Sequence, residues 1–268
     1  MKKSQWLAIA LFLFTSLLFF SSPSTATIIS WTVDGSDAIF LAGRTDLTIP
    51  DASQPWTGPG DYLIRHGGPT PEEIQETLPD SYLLPADFVF FRALDPAVGG
   101  VSFYNGVGDP YFGPDGNGVS GSNLSGLGGI SGYIGPQGPL AGVFLDDNVP
   151  NVATSRPATL DFSPGGIGTD FTDLHPLLGQ VFYIGNGVTS GGDFQTFYAP
   201  TGATRLFLGI PDGFGFVGGP GAYDDNDGSY TVRIGINETP TVPEPSTMLL
   251  LGVGLLGLTG ATRRKLKK

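Results

Sequence analysis

Short apolar and aromatic runs, separated by glycine, proline and polar turns, recur along the chain between residues 28 and 236. The clearest are residues 28–33, the ADFVFFRAL segment from Ala86, residues 138–145, 179–185 and 193–198. Runs of this length between turn residues are typical of strands. The pattern therefore predicts roughly eight to ten strands and an all-β sandwich or barrel.

Residues 205–236 show the strongest alternation. Leu206, Leu208 and Ile210 fall on one face, and residues 230–236 alternate in the same way. We predict two strands of a hairpin, joined by a long acidic loop. Most hairpin loops have about 2 to 5 residues, so a loop of this length needs a further explanation.

Other stretches give weaker signals. Residues 38–41 predict a short strand, residues 71–78 a two-turn helix behind a capping box, and residues 156–162 an edge strand. The many glycines between Gly106 and Gly138 predict a turn-rich stretch within a chain that is β in character from Ala86.

The composition supports a folded and acidic protein. Glycine (42) and proline (23) are abundant, but 19 Phe, 9 Tyr and 3 Trp supply the apolar surface of a core. Residues 27–242 hold six basic and 24 acidic residues, a net charge of −18 with no lysine. Such a surface repels nucleic acid and suits divalent cations or an extracellular matrix. The absence of cysteine excludes disulfides and thiol catalysis.

Residues 1–26 have the three parts of a secretory signal peptide. Lys2 and Lys3 precede an apolar stretch, and Ser24, Thr25 and Ala26 form a small-residue cleavage site. The signal predicts export through the Sec machinery, with an N-terminal membrane anchor as the alternative. We expect an exported domain over residues 27–240.

The last 28 residues, 241–268, resemble a PEP-CTERM sorting tail. Val242, Pro243, Glu244, Pro245 and Ser246 match the short motif of that family, ahead of an apolar helix at 248–261 and a basic end at 263–268. The apolar run predicts a short transmembrane helix whose basic end stays in the cytoplasm. The resemblance implies recognition by an exosortase-type membrane protease and delivery to the cell surface, outer membrane or extracellular matrix. A permanent anchor is the alternative.

A second resemblance covers about 100 residues, from Leu140 to Gly235. The succession LAGVFL, GQVFYIGNG, FQTFYAPTGATRLFLGIPD and DNDGSYTVRIG resembles the calcium-dependent galactophilic lectins of bacteria. The resemblance implies a jelly-roll β-sandwich with calcium held between a strand-end aspartate and a pair of side chains before the next strand. Carried over by position, the ligands are Asp212, the Ala222 carbonyl, Asp225 and Asn226.

Oxygen ligands agree with calcium, which takes six to eight of them in irregular geometry. Aspartate and asparagine also form turns, so a solvated turn remains the alternative for the loop. Asp146, Asp147 and Asn148 are a weaker cation candidate, for which we expect a turn. Asp115 in a Pro-Asp-Gly sequence is either a ligand contact or a turn residue.

No catalytic motif occurs in the chain. His66 and His175 are the only histidines, and no nucleophile elbow, HExxH or phosphate-binding loop is present. We therefore expect a non-catalytic binding or structural protein, with extracellular polysaccharide as the possible ligand of a calcium-organised domain. The alternatives are a structural matrix protein without a small ligand and a secreted hydrolase.

Overall fold

The computed structural model describes residues 27–47, 77–103, 110–151 and 153–238. The chain divides into two compact units, Met1–Asn237 and Glu238–Lys268. All described strands belong to the first unit.

The described residues form strands and short turns, which confirms the all-β class. The strands are β1 (Thr27–Asp34), β2 (Ser81–Leu83), β3 (Phe90–Ala93), β4 (Val98–Ser102), β5 (Asn117–Leu124), β6 (Tyr133–Gln137), β7 (Ala141–Leu145), β8 (Leu160–Asp161), β9 (Asp173–Leu174), β10 (Val181–Tyr183), β11 (Thr196–Tyr198), β12 (Arg205–Gly209), β13 (Val217–Gly218) and β14 (Asp227–Ile236). Three single 3₁₀ turns lie at Ile39–Leu41, Phe214–Phe216 and Tyr223–Asp225.

The first sheet is built around β14. Its strand order is β1-β14-β3-β11-β9, and β4 also pairs with β14. β1 runs antiparallel to β14 from Thr27 opposite Ile236 to Asp34 opposite Ser229. Tyr230, Val232 and Ile234 are buried while the residues between them are exposed. The predicted alternation of this strand is therefore confirmed.

The second sheet has the order β10-β7-β12-β2 and is antiparallel throughout. Every residue of β7 is buried, so both of its faces are covered. Gly142 is required there, because a Cβ at this position would lie 2.6 Å from the Phe182 ring. A strand covered on both faces is apolar without alternation, as this one is.

Aromatic side chains join the first two sheets. Phe91 of β3 stacks on Phe197 of β11 at 4.9 Å between ring centroids, and its edge meets Phe144 of β7 at 6.0 Å. Phe182 of β10 stacks on Phe144 at 5.3 Å and on Phe197 at 5.5 Å. These rings form the centre of the hydrophobic core. The jelly-roll topology within this all-β class remains a prediction.

The third sheet, β13-β5-β6-β8, takes β5 and β6 from the glycine-rich stretch that we predicted to be rich in turns. The sequence did not identify β5 and β6, because glycines here serve close packing as well as turns. A Cβ on Gly132 would lie 2.2 Å from the Leu124 carbonyl oxygen, and one on Gly126 would lie 2.2 Å from the Ile130 carbonyl oxygen. The glycines thus let neighbouring backbone segments approach one another.

Two further predictions fail in the described residues. β12 and β14 belong to different sheets, so residues 210–226 cross between sheets and do not close a hairpin. The predicted strand at residues 38–41 is a buried 3₁₀ turn at Ile39–Leu41. Most of the helix predicted at residues 71–78 lies outside the described residues.

Asp37 lies in the bend that follows β1 and is half-buried. One carboxylate oxygen accepts a hydrogen bond from the Asp34 backbone N–H at 2.9 Å, and the other accepts one from the Thr77 hydroxyl at 2.8 Å. Burial raises the pKa of Asp37 to about 6 and outweighs both hydrogen bonds. The native state therefore holds this proton more tightly than the unfolded chain, whose aspartates have a pKa near 3.8.

We expect the effect of Asp37→Asn on the free energy of unfolding to become more favourable as the pH rises from acid to neutral. The stability that comes from the raised pKa of Asp37 is complete below pH 4 and lost as the pH rises through 6. Asp37→Asn has no ionisable group at this position and does not lose stability in this way. Its free energy of unfolding should therefore rise relative to wild type by on the order of 1 kcal/mol between pH 4 and 7, after discounting for partial solvent exposure. Thermal unfolding at several pH values measures it. A difference between variant and wild type that stays constant with pH would contradict the raised pKa.

Candidate functional site

The candidate site is the crossing segment, residues 210–226, between the end of β12 and the start of β14. It contains two 3₁₀ turns, Phe214–Phe216 and Tyr223–Asp225, and the short strand β13. The predicted cation ligands lie at its two ends, Asp212 at the first and Ala222, Asp225 and Asn226 at the second. The chain must return on itself for these ends to meet.

Tyr223 ties the two ends together. Its hydroxyl donates to the Ile210 carbonyl at 2.6 Å and accepts the Asp212 backbone N–H at 3.1 Å. The Gly221 N–H also donates to the Asp212 carbonyl at 3.1 Å. Tyr223 is completely buried. The segment is therefore closed at its base, so Asp212 lies beside the turn that leads into β14.

The Asp212 side chain is buried, with only 2% of its surface exposed. Its Oδ1 accepts the Gly213 backbone N–H at 2.6 Å. A buried carboxylate is costly unless hydrogen bonds or opposite charges compensate it. Of the acids predicted from the sequence as ligands, this one is removed from solvent, while Asp225 at the other end is half-buried.

Asn226 is buried to the same degree, with 1% of its surface exposed. Its Nδ2 donates to the Gly35 carbonyl at 2.9 Å, which fixes the orientation of the amide. Its Oδ1 is fully buried and has no hydrogen-bond donor in the described structure. A buried acceptor in this state costs roughly 1 to 3 kcal/mol. The amide thus presents an uncompensated oxygen in the region of the predicted site.

Ala222 adopts the left-handed backbone conformation, with φ 66° and ψ 23°, directly before the Tyr223–Asp225 turn. Few residues other than glycine adopt this conformation, and they keep it only where the surrounding structure imposes it. The backbone of the predicted carbonyl ligand is therefore held in an unusual conformation.

The set of possible ligands consists of oxygen atoms. It comprises two carboxylates, one amide and backbone carbonyls, and it resembles the oxygen ligands that calcium takes. No group of three or more histidine, aspartate or glutamate side chains that could hold a metal occurs among the described residues. Asn226 and the backbone carbonyls must therefore supply part of any coordination shell here.

The weaker cation candidate is a turn whose side chains bond within the protein. Asp146 accepts the Asn148 backbone N–H at 3.0 Å and the Asn148 side-chain amide at 2.7 Å. Asp147 accepts the Thr204 hydroxyl at 2.7 Å. These contacts agree with the turn that we expected.

The His175 ring stacks on Tyr198 at 4.3 Å between centroids, and Asp173 accepts the Thr172 hydroxyl at 3.0 Å. Trp31 is buried in the core. His66 and Trp56 lie outside the described residues.

Tyr223 was missed by the sequence reasoning. Its only signal was a large aromatic residue beside the predicted Ala222 ligand.

Asp115 was considered only as a turn residue or a ligand contact, and the structure gives it two partners. It accepts the Tyr183 hydroxyl at 2.9 Å and the Asn186 backbone N–H at 2.8 Å.

Comparison with known proteins finds the PEP-CTERM protein-sorting motif at residues 241–265. No curated protein and no solved structure matches the chain, so the resemblance to galactophilic lectins gains no support. The predicted signal peptide at residues 1–26, the sorting motif at 242–246 and the apolar segment at 248–261 lie outside the described residues. Within the described part, no helix has the length and apolar character needed to span a membrane. The sorting motif implies an exported, membrane-associated protein that an exosortase processes.

Proposed function

We propose that this protein is an exported, non-catalytic binding module of the cell surface or extracellular matrix, in which calcium holds the segment between β12 and β14. The observation that carries the calcium proposal is the buried Asn226 Oδ1, which has no hydrogen-bond donor. Asp212, Asp225 and Asn226 would hold the ion through side-chain oxygens, and Ala222 through its carbonyl. Extracellular polysaccharide is the proposed partner of the module.

Calcium fits this chemistry better than other metals. Zinc prefers the nitrogen and sulfur of histidine and cysteine, whereas the candidate ligands are oxygens and the chain has no cysteine. Magnesium requires near-ideal octahedral geometry and keeps several waters. A bound calcium would add positive charge beside the buried Asp212 carboxylate, and it would join the end of one sheet to the beginning of the central strand of the other.

Calorimetric titration of the chelator-treated protein with calcium tests the proposal. We expect Asp225→Asn to lower calcium affinity at least tenfold, because it replaces a charged ligand oxygen with an amide nitrogen or a neutral oxygen. Asp227→Asn is the matched control. It makes the same charge change two residues away, at an exposed position that is not a predicted ligand, and should leave the affinity unchanged.

Calcium should also raise the melting temperature of the wild type. At a hundredfold excess over its dissociation constant, the ion should stabilise the fold by about 2.7 kcal/mol. Equal affinities for the two variants, or a melting temperature that does not respond to chelator, would refute a calcium site in this segment.

A further inference from the structure

A cleft of about 610 Å³ lies between the third sheet and the segments that follow β8 and β10. Gly121 of β5 and Gly135 of β6 form part of one wall, and residues 163–170 and 186–190 contribute the others. Phe162 and Tyr183 lie at its buried side, with ring centroids 6.0 Å apart. The volume is within the roughly 300 to 1,000 Å³ of small-molecule sites.

Two carboxylates hold the walls of this cleft in place. Asp115 receives both of its hydrogen bonds, from Tyr183 and Asn186, at Oδ1. Asp170 accepts the Ser190 backbone N–H at 2.6 Å and the Ser190 hydroxyl at 2.8 Å. These contacts fix residues 186–190 to Asp115, which precedes β5, and to Asp170, which follows β8. The cleft is thus preorganised, and Asp115 keeps Oδ2 as an acceptor for a ligand.

A buried tyrosine lies behind one wall of the cleft. Tyr133 is completely buried, and its Oη makes no hydrogen bond in the described structure. It lies against Gly135, where a Cβ would be 2.6 Å from Oη. Tyr133 thus packs behind the Gly135 wall and supports it from the protein interior.

The lining indicates the chemistry of the ligand. No lysine, arginine or histidine lies among the described residues of the cleft, and its two acids repel anions. The cleft places carboxylates and the hydroxyls of Ser163, Thr169 and Thr189 beside aromatic side chains. This combination suits a ligand with many neutral hydroxyl groups and an apolar ring face. We propose that this cleft binds a neutral saccharide. The inference rests on the proposed binding role of the module but not on its calcium.

An immobilised array of neutral and uronic-acid oligosaccharides tests the proposal, followed by calorimetry with the neutral trisaccharide that binds best. Gly121→Phe should abolish binding, because a Cβ there meets only the Gly135 carbonyl oxygen at 3.9 Å and the ring would occupy the cleft. Gly113→Phe is the matched control, since its Cβ also meets open space but lies outside both the cleft and residues 210–226. Asp115→Asn keeps Oδ1 and should weaken binding about tenfold through the loss of Oδ2.

The expected result is that neutral saccharides bind the wild type and the Gly113→Phe variant equally, with or without chelator. Melting temperatures should show that each variant is folded. Exclusive binding of acidic glycans, no binding of neutral ones, or equal binding by wild type and Gly121→Phe would overturn the proposal. Sugar binding that is lost in Asp225→Asn but kept in Gly121→Phe would also overturn it, while leaving the calcium proposal intact.

Discussion

Phe91→Ala is expected to lower the free energy of unfolding by about 3 to 5 kcal/mol. Phe91 is completely buried and contacts Phe197 of its own sheet and Phe144 of the second sheet. Truncation removes its apolar surface from the core and leaves a cavity between two sheets that cannot easily close. Of the substitutions considered, it has the largest expected effect on stability.

Denaturant-induced unfolding measures this effect, and Phe90→Ala provides the control. Phe90 is adjacent on β3, is only half-buried, and packs on Tyr198 at 5.6 Å. Its loss should cost less than half as much as the loss of Phe91. Equal destabilisation by the two substitutions would mean that the Phe91 side of β3 is not the centre of the core.

Tyr223→Phe is expected to destabilise the protein by about 2 to 3 kcal/mol and to weaken calcium binding. The substitution removes one hydroxyl that serves both the Ile210 carbonyl and the Asp212 backbone N–H. Each buried polar group left without a partner costs roughly 1 to 3 kcal/mol. The closure that keeps Asp212 beside the Tyr223–Asp225 turn loosens at the same time, so the proposed ligands lose their preorganisation.

Tyr230→Phe separates this local effect from a general loss of stability. The Tyr230 hydroxyl is also buried and donates to the Gly138 carbonyl at 2.9 Å, away from residues 210–226. Tyr230→Phe should lower the free energy of unfolding but leave calcium affinity unchanged. Unfolding and calorimetric titration of both variants measure the two effects. If Tyr223→Phe bound calcium as tightly as wild type, Tyr223 would have no role in shaping the site.

Local sequence pattern predicted the strands whose faces differ in environment. β1 and β14 alternate because they have a buried and an exposed side. The predicted bounds of β1 agree with the structure within one residue, whereas β14 ends as predicted but begins three residues earlier, at Asp227. β5 and β6 were missed because glycine is a turn signal in sequence. Its role at Gly126 and Gly132 depends on which backbone lies opposite, and no local pattern contains that information.

The candidate site was predicted in part. Asp212 and Asn226 were selected by position, and the structure shows that both are buried, at opposite ends of one crossing segment. Sequence could not reveal why the Asn226 amide is oriented as it is, because its partner Gly35 lies 191 residues earlier in the chain. Nor could it identify Tyr223 as the residue that closes the segment.

The sequence by itself determined the sorting tail and the all-β class. A sorting signal is a linear motif, and strand formation follows from the local alternation and turn chemistry of each segment. Only the tertiary structure decided that β12 and β14 lie in separate sheets, and that Asp115, Tyr183 and Asp170 surround one cleft. The physical reason is that strand pairing and burial depend on contacts between residues far apart in the chain, and each of these segments has several possible partners.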